Sequence, residues 1–129
     1  MQTSNAILWV DDNPKNNSFF IEQLQKNGYR VDLAHSTKEG LKAVSRNAYR
    51  RILSDMGRFE ELHYVDDAGI VLLDEIKKGG VQAPLVIFCS RRKVERFGDR
   101  VKKLGANSIT SSSTELKAVL DELAPAIGG

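Results

Sequence analysis

Ile7-Leu8-Trp9-Val10-Asp11-Asp12 decides the fold. An apolar run stops at two adjacent carboxylates. A continuous apolar run is the mark of a strand covered on both faces, as in a parallel sheet. Acids at its end cannot be core; they belong at the rim of the sheet, where they need water, a metal or a basic partner. A second run behaves alike: Arg51-Ile52-Leu53-Ser54 ends at Asp55.

Working outward, strands and helices alternate. Ala6 to Val10 reads as the first strand, and Asn13-Pro14 breaks it, Pro suiting a first helical turn. Phe19, Phe20, Ile21 and Leu24 recur at helical spacing between Lys15 and Asn27, and Asn27-Gly28 supplies a stop. Tyr29 to Ala34 alternates as a strand with one wetter face. Ser36 with Glu39 forms a capping box for a helix carrying Leu41, Val44 and Ala48. Arg51 to Ser54 is the third strand. Met56 to Asp67 reads as an irregular polar stretch. Asp66-Asp67 opens a helix with Ile70, Leu72, Leu73 and Ile76 as its apolar face; Lys77 and Lys78 favour its C-terminal end, which Gly79-Gly80 closes. Ala83 to Cys89 is a central strand, and a basic helix from about Arg92 to Leu104 is stopped by Gly105. Ser108 to Ser111 is a weak fifth strand, and Thr114 caps a last helix through Leu116, Val119, Leu120 and Leu123 that ends at Pro125 and Gly128-Gly129.

Five strands alternating with five helices predict an α/β, doubly wound (βα)5 three-layer sandwich around a parallel sheet. Ligands bind such sheets at the carboxyl ends of the strands, where strand order reverses. If the first and third strands are neighbours there, Asp11, Asp12 and Asp55 converge. Three carboxylates brought together resist ionising, and a hard divalent cation such as Mg²⁺, which also recruits phosphate, relieves the repulsion. The plainer alternative is that these aspartates only cap helix N-termini.

Composition sets bounds. The chain has 129 residues, 41% hydrophobic and 28% charged, enough for one globular domain without staples. A net charge of +2 gives no ground for a nucleic-acid partner. One cysteine rules out an internal disulfide framework and fits a reducing compartment. No signal peptide and no apolar run of membrane-spanning length is found, so a cytoplasmic location without membrane contact is expected.

With those elements in place, four segments resemble the receiver domain of two-component response regulators: Ile7-Leu8-Trp9-Val10-Asp11-Asp12-Asn13-Pro14, Ile52-Leu53-Ser54-Asp55-Met56, Ala83-Pro84-Leu85-Val86-Ile87-Phe88 and Leu104-Gly105-Ala106-Asn107. The resemblance spans nearly the whole chain. It implies a flavodoxin-like sheet of order 2-1-3-4-5, one receiver domain with its core at about 5–124 and no output domain, and a signalling module rather than an enzyme. It implies that Asp55 accepts a phosphoryl group from a histidine kinase or phosphotransfer protein. It further implies that Asp12, Asp55 and the Gly57 carbonyl bind Mg²⁺ directly, with Asp11 acting through water. Such domains carry a Ser or Thr at the end of strand four; the matching position is Cys89, with Ser90 one residue on. They carry a Lys before a Pro at the end of strand five; here that place falls on Ser112, and the strand-five aromatic is replaced by Ile109. Arg91 or Arg92 is the expected substitute for the missing cation.

Other signals have plain readings beside functional ones. The basic helix Arg91–Lys103 is either a solvated face or a dock for an acidic protein partner; nucleic acid ranks last, since Phe97 is the lone interleaved aromatic. Cys89 reads as a packed residue, Trp9 as core, and His35 and His63 as surface residues. Phe59 and Tyr64 either fold back or present a docking surface. The rivals to a phosphorylated receiver are a pseudo-receiver that binds a partner without phosphorylation, a flavin-binding domain, which would need a Ser/Thr/Gly-rich phosphate loop, and an aspartate-nucleophile phosphatase, which would need a general acid where Gly57 stands.

Overall fold

The structure is a computed structural model that describes residues 5–105 and 108–123. A parallel five-stranded sheet runs through it. Its strands are β1 (Ala6–Val10), β2 (Arg30–Ala34), β3 (Arg51–Ser54), β6 (Leu85–Phe88) and β7 (Ser108–Thr110), in the order β2-β1-β3-β6-β7. A two-stranded antiparallel hairpin, β4 (Arg58–Glu60) and β5 (His63–Val65), separates β3 from the next helix. Set that hairpin aside and the order is the expected 2-1-3-4-5.

The helices are α1 (Ser18–Lys26), entered through a 3-10 turn at Pro14–Asn17, α2 (Thr37–Arg46), α3 (Ala68–Lys78), α4 (Arg91–Lys103) and α5 (Ser113–Asp121). Alternate residues of each strand point to opposite faces, which divides the core in two. Leu8, Val10, Ile52 and Ile87 pack against Leu72, Leu73, Ile76, Phe97 and Val101, on the side of α3 and α4. Ile7, Trp9, Leu53 and Val86 pack against Ile21, Leu24, Leu116 and Leu120, on the side of α1 and α5. All five residues of β1 are buried, as a central strand of a doubly covered sheet requires.

Several local expectations change. Residues 56–67 are ordered rather than irregular. Met56 and Arg58 are fully buried, and the aromatic rings of the cross-strand pair Phe59 and Tyr64 meet edge-to-face at 5.3 Å. The last helix is capped by Ser112, whose Oγ accepts from Glu115 N at 3.1 Å, not by Thr114. The Ser36 cap forms as expected, but Glu39 reaches back to His35 N at 3.1 Å instead of to Ser36. Phe19 points outward and rests edge-on against Phe20, while Ala48 lies exposed beyond the end of α2. On edge strand β2, Leu33 is exposed. Asp67 precedes α3 without a side-chain cap. Ala106, Asn107, Pro125 and Gly128-Gly129 lie outside the described residues.

Candidate functional site: an acid pocket with a buried arginine

The register Val10↔Ser54 makes β1 and β3 end together. Asp11 and Asp55, the next residue on each strand, are held there by Asp11 N to Ala34 O at 2.9 Å and Asp55 N to Val10 O at 3.1 Å. Strand order reverses between β1 and β3, which is where such sheets open a crevice. Oxygens of Asp11, Asp12 and Asp55 lie within 4.8 Å of one another.

The three acids differ in environment. Asp11 is buried, and both its oxygens accept hydrogen bonds, Oδ1 from Asn13 N at 2.8 Å and Oδ2 from Asn17 Nδ2 at 3.0 Å. Asp12 is exposed, and its Oδ2 accepts from Phe59 N at 2.9 Å. Asp55 is half-buried, and its Oδ1 accepts from Arg58 Nη1 at 2.5 Å. Burial pushes the Asp55 carboxyl up to about 7; Asp11 and Asp12 add to the rise and Arg58 opposes it. One oxygen each of Asp12 and Asp55 takes no hydrogen bond from the described residues. A set of hard carboxylate oxygens with two of them open fits a divalent cation such as Mg²⁺.

The cation at these acids is Arg58, which sequence reading missed. Its side chain is fully buried. Nη1 also donates to Ser54 Oγ at 3.0 Å, Nη2 donates to Thr37 Oγ1 at 2.9 Å and to Ala68 O at 3.3 Å, and Nε faces Glu60 Oε1 at 3.4 Å. Glu60 in turn accepts Thr37 N at the start of α2, where a carboxylate is favoured. Arg91 does not fill this place: its side chain is 87% exposed and pairs with Glu95. A hint was present in the sequence, a basic residue three positions after Asp55, but an arginine in a polar stretch ordinarily reads as solvent-facing.

Two glycines leave room for this arrangement. A Cβ on Gly69 would stand 2.5 Å from the Asp55 carbonyl oxygen, so α3 can approach the pocket only without one. A Cβ on Gly57 would stand 2.1 Å from the Tyr64 hydroxyl and 2.3 Å from Lys93 Nζ. Lys93 therefore reaches over from α4, donating to Tyr64 at 2.7 Å and to Asp66 at 2.9 Å. Arg96 also pairs with Asp66, and Arg100 with Asp67 at 3.2 Å. Much of the charge on the basic helix is thus matched by acids at the exit of the hairpin.

On the far side, Ser90 is the N-cap of α4, its Oγ accepting from Lys93 N at 3.3 Å. Cys89 is half-buried against the core; burial pushes its thiol up to about 11, Lys93 opposing and Asp55 adding. Thr110 Oγ1 bonds both Glu115 and Ser112 N.

The sequence profile of the response regulator receiver domain matches residues 7–123, and the chain belongs to that family. Its sheet is accordingly the flavodoxin-like one of receivers. Solved structures with the same fold include the receiver domain of NtrX from Brucella abortus (24% identity, 90% of this chain and 94% of that one, TM-score 0.72). TrrA from Thermotoga maritima, solved with Mg²⁺ and BeF, is also similar (24% identity, 91% and 96% covered, TM-score 0.70). So is a receiver domain from a Francisella response regulator (24% identity, 91% and 93% covered, TM-score 0.69). No curated protein sequence matches the chain significantly. Receiver domains are signalling modules of two-component systems. They typically bind Mg²⁺ at an acidic pocket and interact with histidine kinases or phosphotransfer proteins and with downstream partners. No helix among the described residues is long and apolar enough to cross a membrane.

Proposed function

We propose that residues 5–124 act as one receiver unit, phosphorylated on Asp55 in the presence of Mg²⁺, that signals in the cytoplasm through protein contacts. The observation that carries this reading is the convergence of three carboxylates at the ends of two adjacent buried strands. Asp12, Asp55 and the Gly57 carbonyl are the direct metal ligands in this reading. Asp11, with both oxygens already accepting protein hydrogen bonds, acts through water. When bound, the metal offsets the negative charge that gathers on the phosphoryl group during transfer. The chain's own part is positional. One oxygen of the Asp55 carboxylate forms a bond to phosphorus while the other faces the metal; the bond from phosphorus to the donor breaks, and its electron pair leaves with the donor. Ser90 and Cys89 stand at the switch position in this reading; the Ser90 hydroxyl keeps its hydrogen free of the capping bond, and the Cys89 thiol is the weaker donor of the two. Histidine kinase or phosphotransfer protein is the donor, and the Arg91–Lys103 helix is the face for a downstream partner.

One observation favours a second reading, a pseudo-receiver that binds its partner without phosphorylation. Arg58 already engages Asp55, and the neighbouring hairpin presents Phe59, Leu62 and Tyr64 to solvent. Treatment with acetyl phosphate and Mg²⁺, followed by intact-mass measurement, separates the two. A phosphoryl adduct on the wild type that is lost in Asp55→Asn is expected. No adduct, or an equal adduct on both, overturns the phosphorylated reading.

A further inference from the structure

Arg58 poses a question that packing does not answer. A buried ion pair is often no better for stability than apolar side chains of similar volume, because both charges must be stripped of water. Yet this guanidinium is held by groups from β3, α2, α3 and β4, among them Thr37 and Ala68 from outside its own hairpin and strand. Among the described residues it is the one cation within hydrogen-bond distance of any of the three acids. The end of β7 offers no competitor: Ser112 caps α5 and Thr110 is bonded to Glu115.

We propose that Arg58 is the resident countercation of the acid pocket, holding Asp55 before a divalent metal arrives and setting how weakly the pocket takes one. The inference rests on the reading of Asp11, Asp12 and Asp55 as a cation site. Well above pH 7, where all three acids are ionised, they carry three negative charges and Arg58 cancels one. A dication must then bind beside a fixed positive charge and share the Asp55 carboxylate with it. Arg58 cannot shed its proton to make room, since a guanidinium stays charged at any ordinary pH. It is a positioning residue: it acts on the metal through Asp55.

The test is calorimetric titration with Mg²⁺ well above pH 7, where Asp55 is ionised, and at low ionic strength, where fixed charges are least screened. Arg58→Met removes the charge and keeps a long apolar stem. It is expected to bind Mg²⁺ at least about tenfold more tightly than wild type, since a monocation and a dication a few ångströms apart repel by that much even at the dielectric of water. Arg58→Lys keeps the charge and is expected to stay within about threefold of wild type. A merely structural arginine gives the opposite sign: losing it loosens the pocket and weakens binding. A second measurement needs no substitution. In wild-type protein the Arg58 guanidinium signals, followed by nitrogen-15 NMR, should move with the same midpoint as the heat of Mg²⁺ binding. Weaker or unchanged binding by a folded Arg58→Met, or binding to wild type that leaves the Arg58 signals still, overturns the inference alone. No Mg²⁺ binding to wild type or to folded Arg58→Met overturns the cation site itself. An inverted affinity without any phosphoryl adduct leaves the Arg58 inference standing and removes only the phosphorylated reading.

Discussion

The two sides of the crevice are built from different residue types, charged on one and hydroxyl-bearing on the other, and are used differently. On the β1/β3 side, Asp11, Asp12 and Asp55 converge, held by Asn13 N, Asn17, Phe59 N and Arg58. On the β6/β7 side, the polar residues that could face the crevice turn to their own helices: Ser90 caps α4, and Ser112 with Thr110 caps α5. A hydroxyl that accepts from a helix N-terminus stabilises that helix by about 1 kcal/mol, and it is positioned by the helix rather than by a ligand. The difference teaches that the charge-bearing half of the site is fixed by tertiary contacts, whereas the other half is fixed by local structure.

Four experiments strain that contrast, in falling order of effect. Gly69→Val should be the most damaging, because its branched side chain meets the Asp55 carbonyl rather than a yielding side chain. A loss of about 2–3 kcal/mol in urea unfolding is expected, with the Mg²⁺ heat abolished. A tolerated valine would mean that α3 does not fix the pocket. Ser112→Ala should cost about 1 kcal/mol of stability by loss of the cap and leave Mg²⁺ affinity unchanged. A change in affinity would show the two sides to be coupled. Glu61 turns the hairpin with φ of 61°, a conformation that favours glycine. Glu61→Gly should therefore raise stability by roughly 0.5–1 kcal/mol, read as a shift in the unfolding midpoint. A fall in stability would show that the Glu61 side chain supports the hairpin.

The smallest effect concerns a polar cluster away from the crevice. Burial first, then the hydrogen bond to Asp32 at 2.6 Å, pushes the Tyr49 hydroxyl up to about 12. A raised phenol pKa contributes stability that is complete below the ordinary value near 10 and is lost as pH rises through about 12. Phenolate absorbance during alkaline titration should show one tyrosine ionising late, and Asp32→Asn should bring it forward. An unchanged late titration would leave burial as the sole cause.

The alternation of five strands and five helices was legible because its signals are local: apolar runs, glycine stops and the Ser36 cap each act within a few residues. The nearness of Asp11 to Asp55 was legible too, through the rule that parallel sheets open where strand order reverses. Other features were not. The strands of the hairpin are three residues each, with no Asn-Gly or Asp-Gly turn, and they gain their order from Asp12, Thr37 and Lys93. The choice of Ser112 over Thr114 as cap was a matter of two residues in a run of hydroxyls.

Sequence alone determined the layered α/β fold, the carboxylates at the strand ends and the lack of a lysine near the end of β7. Tertiary structure alone decided that a polar stretch becomes a hairpin, and that Arg58 rather than Arg91 or Arg92 stands at Asp55. The physical reason is that burying a guanidinium requires acceptors on several sides at once. Ser54 and Asp55 accept from nearby in the chain, but Thr37 and Ala68 come from two helices and reach Arg58 only when the chain is folded.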